Sequence, residues 1–207
     1  MSNNPPVRRA IIDEQARWNS AYGDPVWRRT RFNARPNGLL VETARRLPPG
    51  TALDMHMGEG RNALHLAALG WQVTGVDLAD HALRQAQEQA RERKLLLTTH
   101  AQDSHGYAWG HACWDLVVLC YTDEHDHADH AAQGLRAGGL VVFENFHADV
   151  NAARGVAPGQ QIGFRSGELP ARYAAAGFAI LRYEEPRAVA DFSLETQRLV
   201  RLVARRQ

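Results

Sequence analysis

The rhythm of apolar and polar positions changes near residue 50. Residues 1–35 are aromatic, basic and poorly periodic, with a helix expected over Ile11 to Ser20 and a turn at Gly23-Asp24-Pro25. Leu39 to Leu47 reads as a helix that Pro48-Pro49-Gly50 stops. Beyond that point short apolar runs alternate with helix-period stretches. Thr51 to Met55 is a brief apolar run closing on an acid. Arg61 to Leu69 sets Leu64 and Ala68 on one helical face, with Gly70 as its stop. Trp71 to Asp77, Leu95 to Thr99, Trp114 to Tyr121 and Leu140 to Phe146 read as strands, and WDLVVLCY is apolar enough to be buried on both faces. Between them lie a helix capped by Asp80 and running to about Arg93, a helix over Asp126 to Arg136, and a turn at Ala137-Gly138-Gly139. This alternation predicts an α/β chain, a Rossmann-like, mainly parallel twisted sheet flanked by helices. Phe178 to Tyr183 and Glu195 to Val203 are strand-like with no helix signal between them, which predicts a C-terminal antiparallel hairpin on the sheet edge.

Composition narrows the class without naming a task. The 207 residues suit one domain, and 44% apolar with 23% charged residues is ordinary for a globular protein. No stretch is long enough to cross a bilayer, and MSNNPPVRRA lacks the apolar stretch of a secretory signal, so a cytoplasmic protein is expected, with no membrane partner. Cys113 and Cys120 are too few for a disulfide framework and read as reduced packing thiols. A net charge of +1 gives no reason to expect nucleic acid. Arginines crowd the first segment and acids gather at Asp123 to Asp129. Solvated surface explains both, and a basic lid over an anionic ligand is the sharper alternative.

Candidate chemistry concentrates in Asp54-Met55-His56-Met57-Gly58-Glu59-Gly60-Arg61, which joins the first strand to its helix. In a doubly wound sheet, ligands bind beyond the carboxyl ends of the strands. Gly58 and Gly60 allow a close backbone approach, and Asp77 closes the second strand, where a carboxylate can accept from both hydroxyls of a ribose. Two cofactors use this layout. Gly58-x-Gly60-x-x-Ala63 fits the dinucleotide fingerprint, which keeps an NAD(P)-dependent oxidoreductase as a rival. Asp54 counts against it, because a carboxylate repels a pyrophosphate and suits the ammonium of a methionine moiety.

The stretch ALDMHMGEGRNALHLAALGWQVTGVDLADHAL resembles the first two motifs of class I S-adenosylmethionine-dependent methyltransferases, closest to the small tellurite-resistance and thiopurine-type branch. WNSAYGDP, FNARPNGLLVE, WDLVVLCY and LRAGGLVVFENF resemble that branch too, so the likeness covers most of the chain. It implies one methyltransferase-like domain over residues 1–207, with an N-terminal lid or extension at 1–36 and a cofactor-binding core at 37–207. It also implies S-adenosylmethionine as cofactor and methyl transfer to a small-molecule acceptor by direct displacement. Carried over residue by residue, Asp54, Gly58 and Gly60 would hold the methionine part and Asp77, with Leu78 beside it, the ribose. Asp103 and the backbone of Ser104 would meet the adenine, and Tyr121 would stand near the sulfonium.

The family pattern has glycine where this chain has His56. Three readings stand: the ring packs away from the ligand, it reaches the acceptor pocket as a base or polar contact, or it narrows the cofactor site. The last would leave a non-catalytic binding protein on a methyltransferase fold. Methyl transfer asks chiefly for alignment in a dry pocket, and a base only when the acceptor is protonated. Tyr121, His125 and His147 are the catalytic candidates, from the loops after the fourth and fifth strands, with Asn145 also near the acceptor; structurally bonded histidine is the bland alternative. In DEHDHADH, His125 and Asp129, or Asp126 and His130, fall four apart, but no third ligand at firm spacing joins them, so no metal is expected. The N-terminal Trp18, Tyr22, Trp27 and Phe32 suit a lid or ordinary packing. Oligomeric state leaves no mark on the sequence.

Overall fold

The run expected to be buried on both faces lies at the centre of the sheet. A computed structural model describes residues 5–122, 126–157 and 161–207, with backbone alone over 5–10. Its strands are β1 (Thr51–Met55), β2 (Gln72–Asp77), β3 (Leu97–Ala101), β4 (Trp114–Cys120), β5 (Leu135–Phe146), β6 (Phe178–Glu184), β7 (Arg187–Val189) and β8 (Thr196–Arg206). They pair in the order β3-β2-β1-β4-β5-β8-β6, with β7 beside β8. β1 to β5 are parallel, and β8 is antiparallel to both β5 and β6.

Helices cover both faces: α1 (Pro5–Gly23), α2 (Pro25–Arg31), α3 (Gly38–Ala44), α4 (Arg61–Ala68), α5 (Asp80–Glu92), α6 (His127–Gly134), α7 (Val150–Arg154) and α8 (Glu168–Ala175). Alternation along β4 divides the core. Val117 and Leu119 pack with Val141, Phe143 and Tyr173 on one side, while Leu116 and Val118 pack with Leu40, Leu66 and Val142 on the other. No helix of the described residues is long and apolar enough to cross a membrane.

Three local expectations change. Gly23-Asp24-Pro25 is a helix start as well as a turn: the Asp24 carboxylate accepts from Val26 N at 2.8 Å and Trp27 N at 3.2 Å, and Pro25 opens α2. Asp80 does not cap α5; Ala79 holds that position, and the Asp80 side chain accepts from Asn19 Nδ2 at 2.6 Å and pairs with Arg84. Ala137-Gly139 is an irregularity inside β5, where the register jumps from Trp114↔Leu135 to Leu116↔Leu140 and Gly138 takes φ +83°. The expected C-terminal hairpin forms at the sheet edge, with β8 between β5 and β6. Leu199, Val200, Leu202 and Ala204 are fully buried in β8, and an edge position would expose part of that surface. Within 148–177, where the sequence reading assigns nothing, α8 buries Leu169 and Tyr173, four residues apart.

Candidate active site

The loop after β1 is shaped by three left-handed residues. Gly58 and Gly60 have φ +55° and +77°, and His56 has φ +58° without the freedom of glycine. That conformation costs an L-residue about 1–2 kcal/mol. Gly58 is needed for a second reason: a Cβ there would lie 2.5 Å from the Tyr22 hydroxyl, so the phenol of α1, not the His56 ring, takes the space beside it. The Gly58 N–H donates to Asp77 Oδ2 and the Ala79 N–H to Asp77 Oδ1, each at 2.8 Å. Burial pushes the Asp77 carboxyl up, against these hydrogen bonds to its charged form.

Asp54 sits behind the loop, 2% exposed. Its carboxylate accepts from the Ala63 N–H in the first turn of α4, while Oδ2 has no hydrogen-bond partner among the described residues. Burial raises this carboxyl to about 7, with Arg61 the main opposing influence.

A cavity of about 240 Å³ opens at the carboxyl ends of β1 to β4. Asp77, Leu78, Asp103 and Ser104 line one part, His56 and Tyr121 another, and Trp18, Tyr22 and Phe32 cover it. A second cavity, about 570 Å³, adjoins it through shared walls: Tyr22, Phe32, His56, Cys120, Tyr121 and Phe192 line both. The far side of the second carries Arg28, Arg29, Arg61 and Arg93. The cover is tied down at several points. Gln15 Nε2 donates to Leu78 O at 3.0 Å, Asn19 bridges Asp80 and the His81 N–H, and Arg28 forms an ion pair with Glu59 of the glycine loop.

Tyr121 stands at the end of β4 with φ +61°, a second strained residue facing His56 across the shared wall. Its hydroxyl donates to Glu144 Oε1 and accepts from the Asp191 N–H, both at 2.8 Å. Burial and the two carboxylates push its ionisation far up, so the phenol keeps its proton between these two partners. The Cys120 thiol is likewise pushed up by burial. Glu144, fully buried, also receives Asn37 Nδ2 at 2.8 Å and Arg201 Nε at 2.5 Å.

The structure therefore gathers His56, Gly58, Asp77, Leu78, Asp103, Ser104 and Tyr121 around the cavities, with Asp54 and Gly60 supporting the loop from behind. The His56 ring lies 5.6 Å from that of buried His127. Asn145 spends its side chain on the strand end, Nδ2 donating to Thr122 O and Oδ1 accepting from Phe146 N. His147 lines neither cavity: its Nε2 is 3.1 Å from Ser166 Oγ, and its Nδ1 accepts from the Asp149 N–H at 3.2 Å. His125, with Asp123 and Glu124, lies outside the described residues. The sequence reading passes over Asp191 and Phe192, which reach the site from the β7–β8 loop; no local pattern marks them. Arg61 and Asn37 had a signal in their nearness to the glycine loop and the α3 start.

Residues 52–139 match the family model described as a methyltransferase domain. A search of curated proteins finds no match. Among solved structures, TehB from Haemophilus influenzae aligns with a TM-score of 0.68 at 20% identity, over 83% of this chain and 62% of that one. The [4+2]-cyclase SpnF aligns at 0.67 and 17%, over 95% and 92%. Magnesium protoporphyrin IX methyltransferase (ChlM) from Synechocystis PCC 6803, solved with bound S-adenosylhomocysteine, aligns at 0.61 and 19%, over 100% and 89%. At these identities the likeness establishes the fold. The chain therefore has the fold of these proteins, and residues 52–139 within it are similar to a methyltransferase domain.

Proposed function

We propose that the protein methylates a small-molecule acceptor in the larger cavity, with the cofactor held in the smaller one. The observation that carries this reading is Asp77: a carboxylate at the end of β2, fixed by two backbone amides, on the wall of a cavity at the carboxyl edge of the sheet. Each of its oxygens retains acceptor capacity for a ribose hydroxyl. The residues suit the cofactor elsewhere too. The unpartnered buried Oδ2 of Asp54 is an acceptor for an ammonium. Asp103 and Ser104 line the part that would take the adenine, and Leu78 would pack beside it. His56 and Tyr121 line the passage toward the acceptor cavity, where Phe32 and Phe192 exclude water.

Bound there, S-adenosylmethionine supplies an electrophilic methyl group that a nucleophile takes by direct displacement, with inversion at carbon. What the chain contributes is alignment and dryness, the larger share of what such a reaction needs. The Tyr121 hydroxyl is committed to Glu144, which leaves the His56 imidazole as the side chain of the shared wall suited to a proton from a hydroxyl or amine acceptor. Thiolates and other soft anions would need no such help. His147 and Asn145 would act at most by holding the loops around the acceptor.

The dinucleotide reading is disfavoured by Asp54. Its carboxylate accepts from the Ala63 amide at the α4 N-terminus, where a pyrophosphate would bind. Titration calorimetry separates the two. Heat with S-adenosylmethionine and S-adenosylhomocysteine, and none with NAD or NADP, is expected; the opposite result would overturn the assignment. Turnover of a panel of thiols, phenols and amines with labelled methyl donor then identifies the acceptor.

A further inference from the structure

Residues 190–194 form a tight turn between β7 and β8, closed by the Ala190 N–H on Glu195 O at 2.9 Å. Ser193 and Leu194 both take left-handed backbone, φ +80° and +59°, with no glycine to ease it. Such a conformation persists where surrounding contacts over-determine it. The contacts are with the N-terminal cover. The Asn33 N–H donates to Asp191 O and the Ser193 N–H to Arg31 O, each at 2.8 Å. Phe32 and Phe192 form an isolated antiparallel bridge, their rings 4.9 Å apart.

The buried Asp191 side chain gathers donors from three further places. Asn33 Nδ2 reaches Oδ1 at 2.8 Å, while Asn37 Nδ2 at 2.9 Å and Arg61 Nη1 at 2.7 Å share Oδ2. Its own N–H donates to the Tyr121 hydroxyl at 2.8 Å. The carboxylate thus joins the cover, the cap of α3 and the first residue of α4 after the glycine loop, and the backbone of the same residue holds the tyrosine that walls both cavities. On the other flank of that loop, Arg28 pairs with Glu59.

We propose that Asp191 is a positioning residue for the methyl transfer: it clasps residues 31–33 to Arg61 and Tyr121, so that closing the cover and setting the Tyr121 wall are a single event. The clasp rests on the cofactor reading above for its purpose, though not for its existence. Lost without ionic compensation, it frees the cover and leaves Arg61 and two asparagine amides short of an acceptor. Hydrogen bonds to charged groups are the strong ones, and losing several of them corresponds to a change in rate of about tenfold or more.

The test is release of S-adenosylhomocysteine from the full chain, followed by stopped-flow fluorescence of Trp18 and Trp27. Asp191→Ala speeds release by about tenfold or more, and Asn33→Ala speeds it less. Asp191→Asn, which keeps an oxygen for Asn33 but no charge for Arg61, falls between wild type and alanine. Because one clasp is broken twice, Asn33→Ala with Asp191→Ala is no faster than Asp191→Ala alone. Leu169→Ala, a core truncation under α8, lowers the melting temperature without changing release. Wild-type release in Asp191→Ala, multiplied effects in the double variant, or equal acceleration by Leu169→Ala would each overturn the proposal. Hydrogen exchange on the ligand-free chain gives an independent reading. The Asn33 and Ser193 amides lose protection together in Asp191→Ala while those of α8 keep theirs, and unchanged protection refutes the clasp. Absence of S-adenosylhomocysteine binding by wild type refutes the cofactor reading instead.

Discussion

Replacing Asp54 by Asn should make the protein more stable, increasingly so as pH rises from about 4 through about 7, and worse at binding its cofactor above neutral pH. The carboxyl is held up from 3.8 to about 7 because burial penalises its charge. A raised folded-state value means the native state holds its proton more tightly than the unfolded chain. Its contribution is therefore fully present below about pH 4 and disappears as pH rises through about 7. A shift of about three units corresponds to about 4 kcal/mol once both states are ionised. Asparagine is uncharged at every pH and can still accept from the Ala63 N–H, but its amide group inherits the unpartnered place of Oδ2, at about 1–3 kcal/mol. Protonated Asp54 carries the same burden at low pH. Asp54→Asn should therefore exceed wild type by about 1–2 kcal/mol at pH 5 and by about 4 kcal/mol at pH 8.5. At pH 8.5 that is a rise in melting temperature of roughly 8–16 °C for a chain of this size. Binding runs the other way. If an ammonium requires ionised Asp54, the wild-type affinity for S-adenosylhomocysteine should improve about 100-fold between pH 5 and pH 8, and the variant should lose most of that slope. Thermal melts and calorimetry at the two pH values supply both readings. A variant destabilised equally at pH 5 and 8.5 would refute the assignment of the raised carboxyl to Asp54.

Other perturbations have distinct signatures. Gly58→Ala places a Cβ against the Tyr22 hydroxyl at a positive φ, so S-adenosylhomocysteine affinity should fall; Tyr22→Phe should restore part of it in calorimetry, and no restoration would deny the contact. Tyr121→Phe strips a donor from Glu144 and an acceptor from the Asp191 N–H, costing about 1–3 kcal/mol in urea unfolding. Its turnover should drop without moving the pH profile, since a moved profile would make the phenol a proton carrier. Tyr173→Phe removes a buried hydroxyl with no hydrogen-bond partner among the described residues and should be neutral to slightly stabilising, with turnover unchanged; a loss above about 1 kcal/mol would reveal a partner. His56→Gly relieves left-handed strain of about 1 kcal/mol. It should bind S-adenosylhomocysteine at least as well as wild type, and weaker binding would mean that the imidazole itself contacts the cofactor.

Much of the architecture was legible in local pattern. Apolar runs at two-residue and helical spacing placed β1, β2, β4 and α4 within a residue or two, because a parallel sheet buries its strands on both faces and leaves little choice of register. The position of the glycine loop and Asp77 was legible for the same kind of reason: strand, turn and helix follow one another, so both stand at the carboxyl edge of the sheet where the chain order puts them. Sequence also singled out His56 as an imidazole in a glycine's place, but that its ring comes to lie 5.6 Å from that of His127, on a distant element, is a tertiary fact.

Tertiary structure decided the rest, and decided it through contacts of long sequence separation. β8 takes the place between β5 and β6 because both its faces are apolar, a fact that only the neighbouring layers turn into position. Asp191 looks like any acid before a strand, yet it meets Asn33 across 158 residues and Asn37 across 154. Tyr121, read as a candidate catalyst, is bound to Glu144 and becomes a wall. His147 turns to Ser166 and away from both cavities. Periodicity records which face of an element is buried; it carries no information on which partner completes a hydrogen bond, and that is settled only when the layers close.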